Sequence, residues 1–137
     1  MKTKIILALL TAGVLSAGQP ALAHHAFAAE YDSEKPVTLT GTLSKMEWVN
    51  PHGWIYMDVK QPDGTVQRWT VESSGPGAMS RRGLKKTDFV AGMSLVVKGY
   101  QGKQKPTLAN GRTLVLADGR SFYIGSVGGP NDGADKQ

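Results

Sequence analysis

The chain contains no cysteine. Disulfides and a lipid anchor on a cysteine are therefore excluded, whatever the compartment. Histidine is scarce too: His24, His25 and His52 are the only three. Aromatic residues are few, at 7%, so any aromatic binding surface must come from a handful of positions. No apolar run reaches the roughly 20 residues that a bilayer-spanning helix needs. A dominant charge is also missing, since 16 basic residues face 11 acidic ones for a net charge of +5. The basic residues are scattered except for Arg81-Arg82 and Lys85-Lys86. That balance is not a nucleic-acid signature, and the two basic pairs read as a solvated helix face rather than a phosphate or anionic-lipid site.

What the chain does have begins at its amino terminus. Lys2 and Lys4 precede an apolar stretch from Ile5 to Leu15, and Ala21-Leu22-Ala23 is a small-x-small cleavage site. This is the pattern of a secretory signal peptide over residues 1–23. Cleavage after Ala23 leaves 114 residues with a net charge of +3 and exposes His24 as the new terminus. The expectation is a periplasmic or secreted protein with no membrane span after cleavage. A second frame, Ala26-Phe27-Ala28, is a rival site; cleavage after Ala28 would remove both leading histidines.

The rest reads as one small all-β domain. An arm over 24–35 leads into a domain over 36–127, followed by a tail over 128–137 expected to be disordered. Val37, Leu39, Gly41 and Leu43 alternate with Thr and Ser, which is a strand pattern. The phase then flips to Met46 and Trp48, so one extra residue near Ser44-Lys45 predicts a β-bulge. Asn50-Pro51-His52-Gly53 breaks the strand. Trp54–Lys60 and Val66–Glu72 flank Pro62-Asp63-Gly64 and predict a hairpin. A short helix is expected from Ser74-Gly75-Pro76 to Gly83. Further strands are expected over Ser94–Tyr100 and Arg112–Leu116, with a return over Ser121–Ile124 after Asp118-Gly119. Gly102–Pro106 and Ala109-Asn110-Gly111 read as loops. This order matches a five-stranded OB-like Greek-key barrel with one short helix between strands 3 and 4. A small β-sandwich is the alternative, and it needs no helix there.

The segments His24-His25-Ala26-Phe27-Ala28-Ala29-Glu30-Tyr31-Asp32, Lys35-Pro36-Val37-Thr38-Leu39-Thr40-Gly41 and Glu47-Trp48-Val49-Asn50-Pro51-His52 resemble a bacterial family of small exported proteins of unknown function. The resemblance covers the mature domain to about Ser126 and implies an exported single-domain protein, with no activity attached. This chain carries Gly53 where relatives often have Ala.

Two constellations carry chemistry. A terminal His24 would offer its α-amine and ring nitrogen as a chelate, and His25 and His52 could add imidazoles. Nitrogen-rich sites favour Cu(II) among first-row divalent ions, and an α-amine, titrating at about 7.7–8.0, yields its proton readily near neutrality. The twelve residues from His24 to Lys35 span up to roughly 40 Å when extended, enough to reach His52. The plainer alternative makes His24 and His25 a solvated tail and lets His52 bond within its own turn. The second constellation is the outer hairpin face, with Trp54 and Tyr56 on one strand and Arg68 and Glu72 on the other. It could stack a sugar, a peptide ring or another planar group. Alternatively, Trp54 and Tyr56 pack beneath the arm, against Phe27 and Tyr31. Met46, Met57, Met79 and Met93 are spaced as core fillers rather than as a thioether copper site.

Nothing local supports catalysis: there is no Gly-x-Ser-x-Gly, no His-Glu-x-x-His and no phosphate-binding glycine loop. Glu47, Asp58 and Glu72 read as surface residues. The sequence leans against an enzyme and toward an exported binding module, with copper as the candidate cofactor at His24, His25 and His52. The competing reading is a metal-free domain that docks an envelope protein or glycan on the Trp54/Tyr56 face.

Overall fold

Residues 27–130 are described in the computed structural model of the chain; residues 1–26, which include His24 and His25, and residues 131–137 lie outside them. The alternation of Thr with apolar residues builds a long first strand, β1 (Tyr31–Glu47). It is followed by β2 (His52–Lys60), β3 (Val66–Ser74), a short helix α1 (Pro76–Arg81), β4 (Ser94–Gly102), β5 (Leu108–Leu116) and β6 (Ser121–Tyr123). The described residues are thus mostly β, in six strands where the expected barrel had five.

Pairing is antiparallel for β1–β2, β2–β3, β1–β4, β4–β5 and β5–β6. β3 also pairs with β5, in parallel. The circuit β1–β2–β3–β5–β4–β1 therefore closes on itself, and β6 attaches to β5.

The expected bulge in β1 is present. Leu43 pairs with Met57 and Lys45 with Tyr56, so Ser44 has no partner of its own. One unpaired residue changes the facing of everything after it. Leu39 and Leu43 point into the core before it, and Met46 and Trp48 pack on the core after it. The hairpin is in register from His52↔Ser74 to Lys60↔Val66.

The short helix begins with Pro76 in its first turn, where a missing N–H costs nothing. Gly83, at φ +90°, ends it and lets Leu84 donate back to the Met79 carbonyl at 3.1 Å. Met79 and Leu84 are fully buried there, against Ile55, Met57, Val71, Leu95, Val97, Leu114 and Ile124. Met46 and Met93 pack against the same core, so the methionines act as fillers. Gly53 fits this interior closely. A methyl at this position would stand 2.7 Å from Ser73 Oγ and 2.9 Å from the Met79 terminal carbon, so alanine would require both side chains to give way.

Two expectations are corrected, one about Ala109-Asn110-Gly111 and one about Arg82. Ala109-Asn110-Gly111 is not a loop but part of β5, because the parallel bonds to β3 extend the strand backward. Tyr31 at the foot of the expected arm pairs with Gly102, and the continuous ladder between β1 and β4 begins at Pro36↔Tyr100. Of the tail expected over 128–137, residues 131–137 lie outside the described residues; Gly128 and Gly129 are buried. The Arg112 guanidinium holds this stretch by donating to the carbonyls of Pro130 and Ser126. Arg82, expected on a solvated face, is half-buried; it donates to Ser74 Oγ at 2.9 Å and to the carbonyls of Tyr123 and Gly125.

Candidate functional site

A cleft of about 390 Å³ opens where the start of β1, the start of β2 and the end of β3 meet. Strand alternation puts Glu72 on the outer face of β3, opposite the core residues Trp69 and Val71. The sequence placed Glu72 on the surface, yet it is only 4% exposed. A carboxylate so buried needs partners to offset its lost hydration. Two side chains supply them. The Tyr31 phenol donates to Glu72 Oε2, and His52 Nδ1 pairs with Glu72 Oε1.

Tyr31 comes from the first residue of β1 and is 3% exposed. Burial pushes its phenol well above the ordinary tyrosine range, and the hydrogen bond to Glu72 and the charges of Glu72 and Glu30 add to the rise. Tyr31 thus stays protonated when folded, while in the unfolded chain it ionises at about pH 10. Its contribution to stability is complete below pH 10 and fades above it, by roughly 1.4 kcal/mol per pH unit. Urea denaturation should therefore show wild type losing its advantage over Tyr31→Phe between pH 9 and pH 11. An advantage that persists unchanged at pH 11 would contradict the buried phenol–carboxylate bond.

His52 leads β2, and its side chain is 43% exposed. In place of the bond within its own turn that the plainer alternative gave it, its partner Glu72 lies across the hairpin, on β3. With Nδ1 committed to the carboxylate, the other ring nitrogen, Nε2, is the atom available to a ligand. Phe27, Glu30, Asn110 and Ser126 line the same cleft. Asn110 is buried and donates to Ser126 Oγ at 3.2 Å.

Trp54, Tyr56 and Arg68, the other expected site residues among those described, do not line this cleft. Trp54 is half-buried and packs against Phe27, Tyr31 and Leu108, whereas Tyr56, which the arm-covered alternative paired with it, is not part of that cluster. Tyr56 donates to Glu47 Oε2 at 3.2 Å and lies beside the Lys45 ammonium. Lys45, hydrogen-bonded to Glu47, holds that carboxyl below its usual range. Arg68 makes a two-pronged pair with Asp58 at 2.8 and 2.9 Å and does not line the cleft. Among the described residues, no group of three or more His, Cys, Asp or Glu side chains could by itself hold a metal ion.

Tyr31, Phe27 and Asn110 are site residues that a reading for chemistry passes over. Asn110 carried no signal of its own, since Gly111, Arg112 and Thr113 follow it directly in Leu108–Leu116.

Fold and cleft together define a small, mostly β domain with a buried carboxylate clamped between a phenol and an imidazole. The chain matches the Family of unknown function (DUF6152) over residues 11–110 and belongs to that family. No curated protein and no solved structure matches it.

Proposed function

We propose that this protein is a small exported binding module of OB-like build. Its ligand is Cu(II), held in the cleft by His52 together with the mature amino-terminal His24 and His25. The closed pairing circuit, with a helix between β3 and β4, supports the OB-like reading. The residues from Lys2 to Ala23 support export to the periplasm or beyond.

The observation that carries the copper reading is the Glu72–His52 contact. A metal-binding imidazole characteristically gives its second nitrogen to a carboxylate, which fixes the tautomer and raises ligand basicity. Glu72 is bonded to serve that role, and Tyr31 holds Glu72 in turn. Phe27 adds the geometry. It lines the cleft, and His24 lies three residues before it, within about 10 Å of extended chain. An α-amine and imidazoles brought to His52 Nε2 form the nitrogen-rich set that favours Cu(II).

Titration of the mature protein with Cu(II) tests this reading. Stoichiometric, tight binding is expected for a chain beginning at His24. A single extra residue before His24 turns the His24 α-amine into a peptide N–H, breaking the His24 chelate, and should weaken binding by about 100-fold or more. Equal affinity for both chains would overturn the site.

A further inference from the structure

The loop from Lys103 to Thr107 between β4 and β5 builds a second feature. It is fastened from several sides. Lys103 donates its backbone N–H to the Glu30 carbonyl at 2.9 Å and its ammonium to the Ala28 carbonyl. Gln101 Nε2 donates to the Pro106 carbonyl at 2.6 Å, and the Thr70 N–H bonds the Thr107 carbonyl at 2.9 Å. Beneath this loop lies a groove of about 260 Å³ lined by Trp54, Tyr56, Thr70, Thr107, Lys105 and Glu30, with Leu108. A second hollow of about 320 Å³ adjoins it, sharing Glu30, Lys105 and Leu108.

We infer that this pair of hollows is a saccharide-binding groove for a neutral disaccharide unit, distinct from the His52 cleft. The chemistry of the walls selects the ligand. Trp54 and Tyr56 stand two residues apart on the outer face of β2 and supply aromatic surface, onto which the apolar face of a sugar ring can pack. Thr70 and Thr107 add hydroxyls that both donate and accept, as a polyol requires. The lining charges are one ammonium, Lys105, and one carboxylate, Glu30, so the groove favours no net charge on its ligand.

The same features argue against the other occupants. A nucleic-acid strand needs several cations along its phosphates, and one lysine opposed by a glutamate does not provide them. An extended peptide would need a free strand edge, but β2 pairs with β1 and β3, and β3 pairs with β2 and β5. Each hollow is smaller than the roughly 300–1,000 Å³ of a typical small-molecule site or at its low end, which suits one ring apiece.

The test is an NMR titration of the mature protein with maltose, cellobiose and diacetylchitobiose. At least one should shift the Trp54 indole and the Thr107 amide at millimolar concentration and leave the His52 ring unmoved. Trp54→Leu should weaken that binding about tenfold or more. Because Trp54 also packs on the Phe27 cluster, Thr107→Val provides a second variant that keeps the shape and removes one hydroxyl; it should weaken binding severalfold. The inference is overturned if none of the three sugars shifts Trp54, if the shifts centre on His52, or if both variants bind as wild type does. Cu(II) binding is read separately, so its failure leaves this groove untouched.

Discussion

His52→Ala should reduce Cu(II) affinity by about 100-fold or more, because it removes the one described imidazole at the cleft. Glu72→Gln should cost about 10–100-fold. An amide is nearly the size of the carboxylate but orients the imidazole without a charge. Tyr31→Phe should cost least, since the phenol reaches the metal only through Glu72. This graded order separates the proposal from a simple tail chelate. If His24 and His25 bound copper by themselves, all three variants would match wild type. Isothermal titration against a competing chelator at neutral pH reads the order directly. Melting temperatures measured alongside keep folding defects from being read as lost ligands. Glu72→Gln is the variant to watch, because it leaves the Tyr31 and His52 side chains with a neutral partner in a buried place.

Gly99→Ala should be the most damaging single methyl in the described chain. Gly99 lies on β4 where the β4–β5 register shifts, opposite Gly111. A Cβ there would run into the Asn110 carbonyl oxygen and carbon. Both atoms are backbone of a paired strand, so no side chain can swing aside. Overpacking of this kind costs about 1–3 kcal/mol when neighbours can yield, and more when they cannot. A loss of about 3 kcal/mol corresponds to roughly 12 °C or more in melting temperature for a domain this small. The same displacement would disturb Asn110, which lines the cleft, so copper affinity should fall as well. Gly77→Ala is the control: the nearest atom to its Cβ is the far end of Arg81 at 3.5 Å. A Gly99→Ala protein as stable as the Gly77→Ala protein would show that β4 and β5 are not packed as described.

Local signals were strong enough to read much of this fold. The phase flip between Leu43 and Met46 located the bulge at Ser44 because strand facing has a strict period of two. Pro62-Asp63-Gly64 and Asp118-Gly119 located turns because their glycines take a positive φ, +86° in each case. What escaped depends on contacts distant in sequence. Asn110 looks like a turn residue, and only the parallel pairing with β3 keeps it in a strand. Glu72 looks like an outward-facing acid on an alternating strand. It is buried because Tyr31, forty-one positions earlier, closes over it. Trp54 was legible as part of an outer face, but its cover, Phe27 at the end of the arm, required the chain to return across the hairpin. Strand facing alone groups Arg68 with the site, yet Asp58 beside it on β2 takes its guanidinium. Position along the strand separates these pairs: the cleft lies at the His52 end of the hairpin and the Arg68–Asp58 pair toward the Lys60 end.

The proposed copper site requires a mature chain that begins at the histidine pair. The mass of the exported protein, taken intact under native conditions with and without Cu(II), therefore tests the account most directly. The account predicts a chain of residues 24–137 that gains the mass of one copper ion. A chain beginning at Ala29, or a chain beginning at His24 that retains no copper, would contradict it.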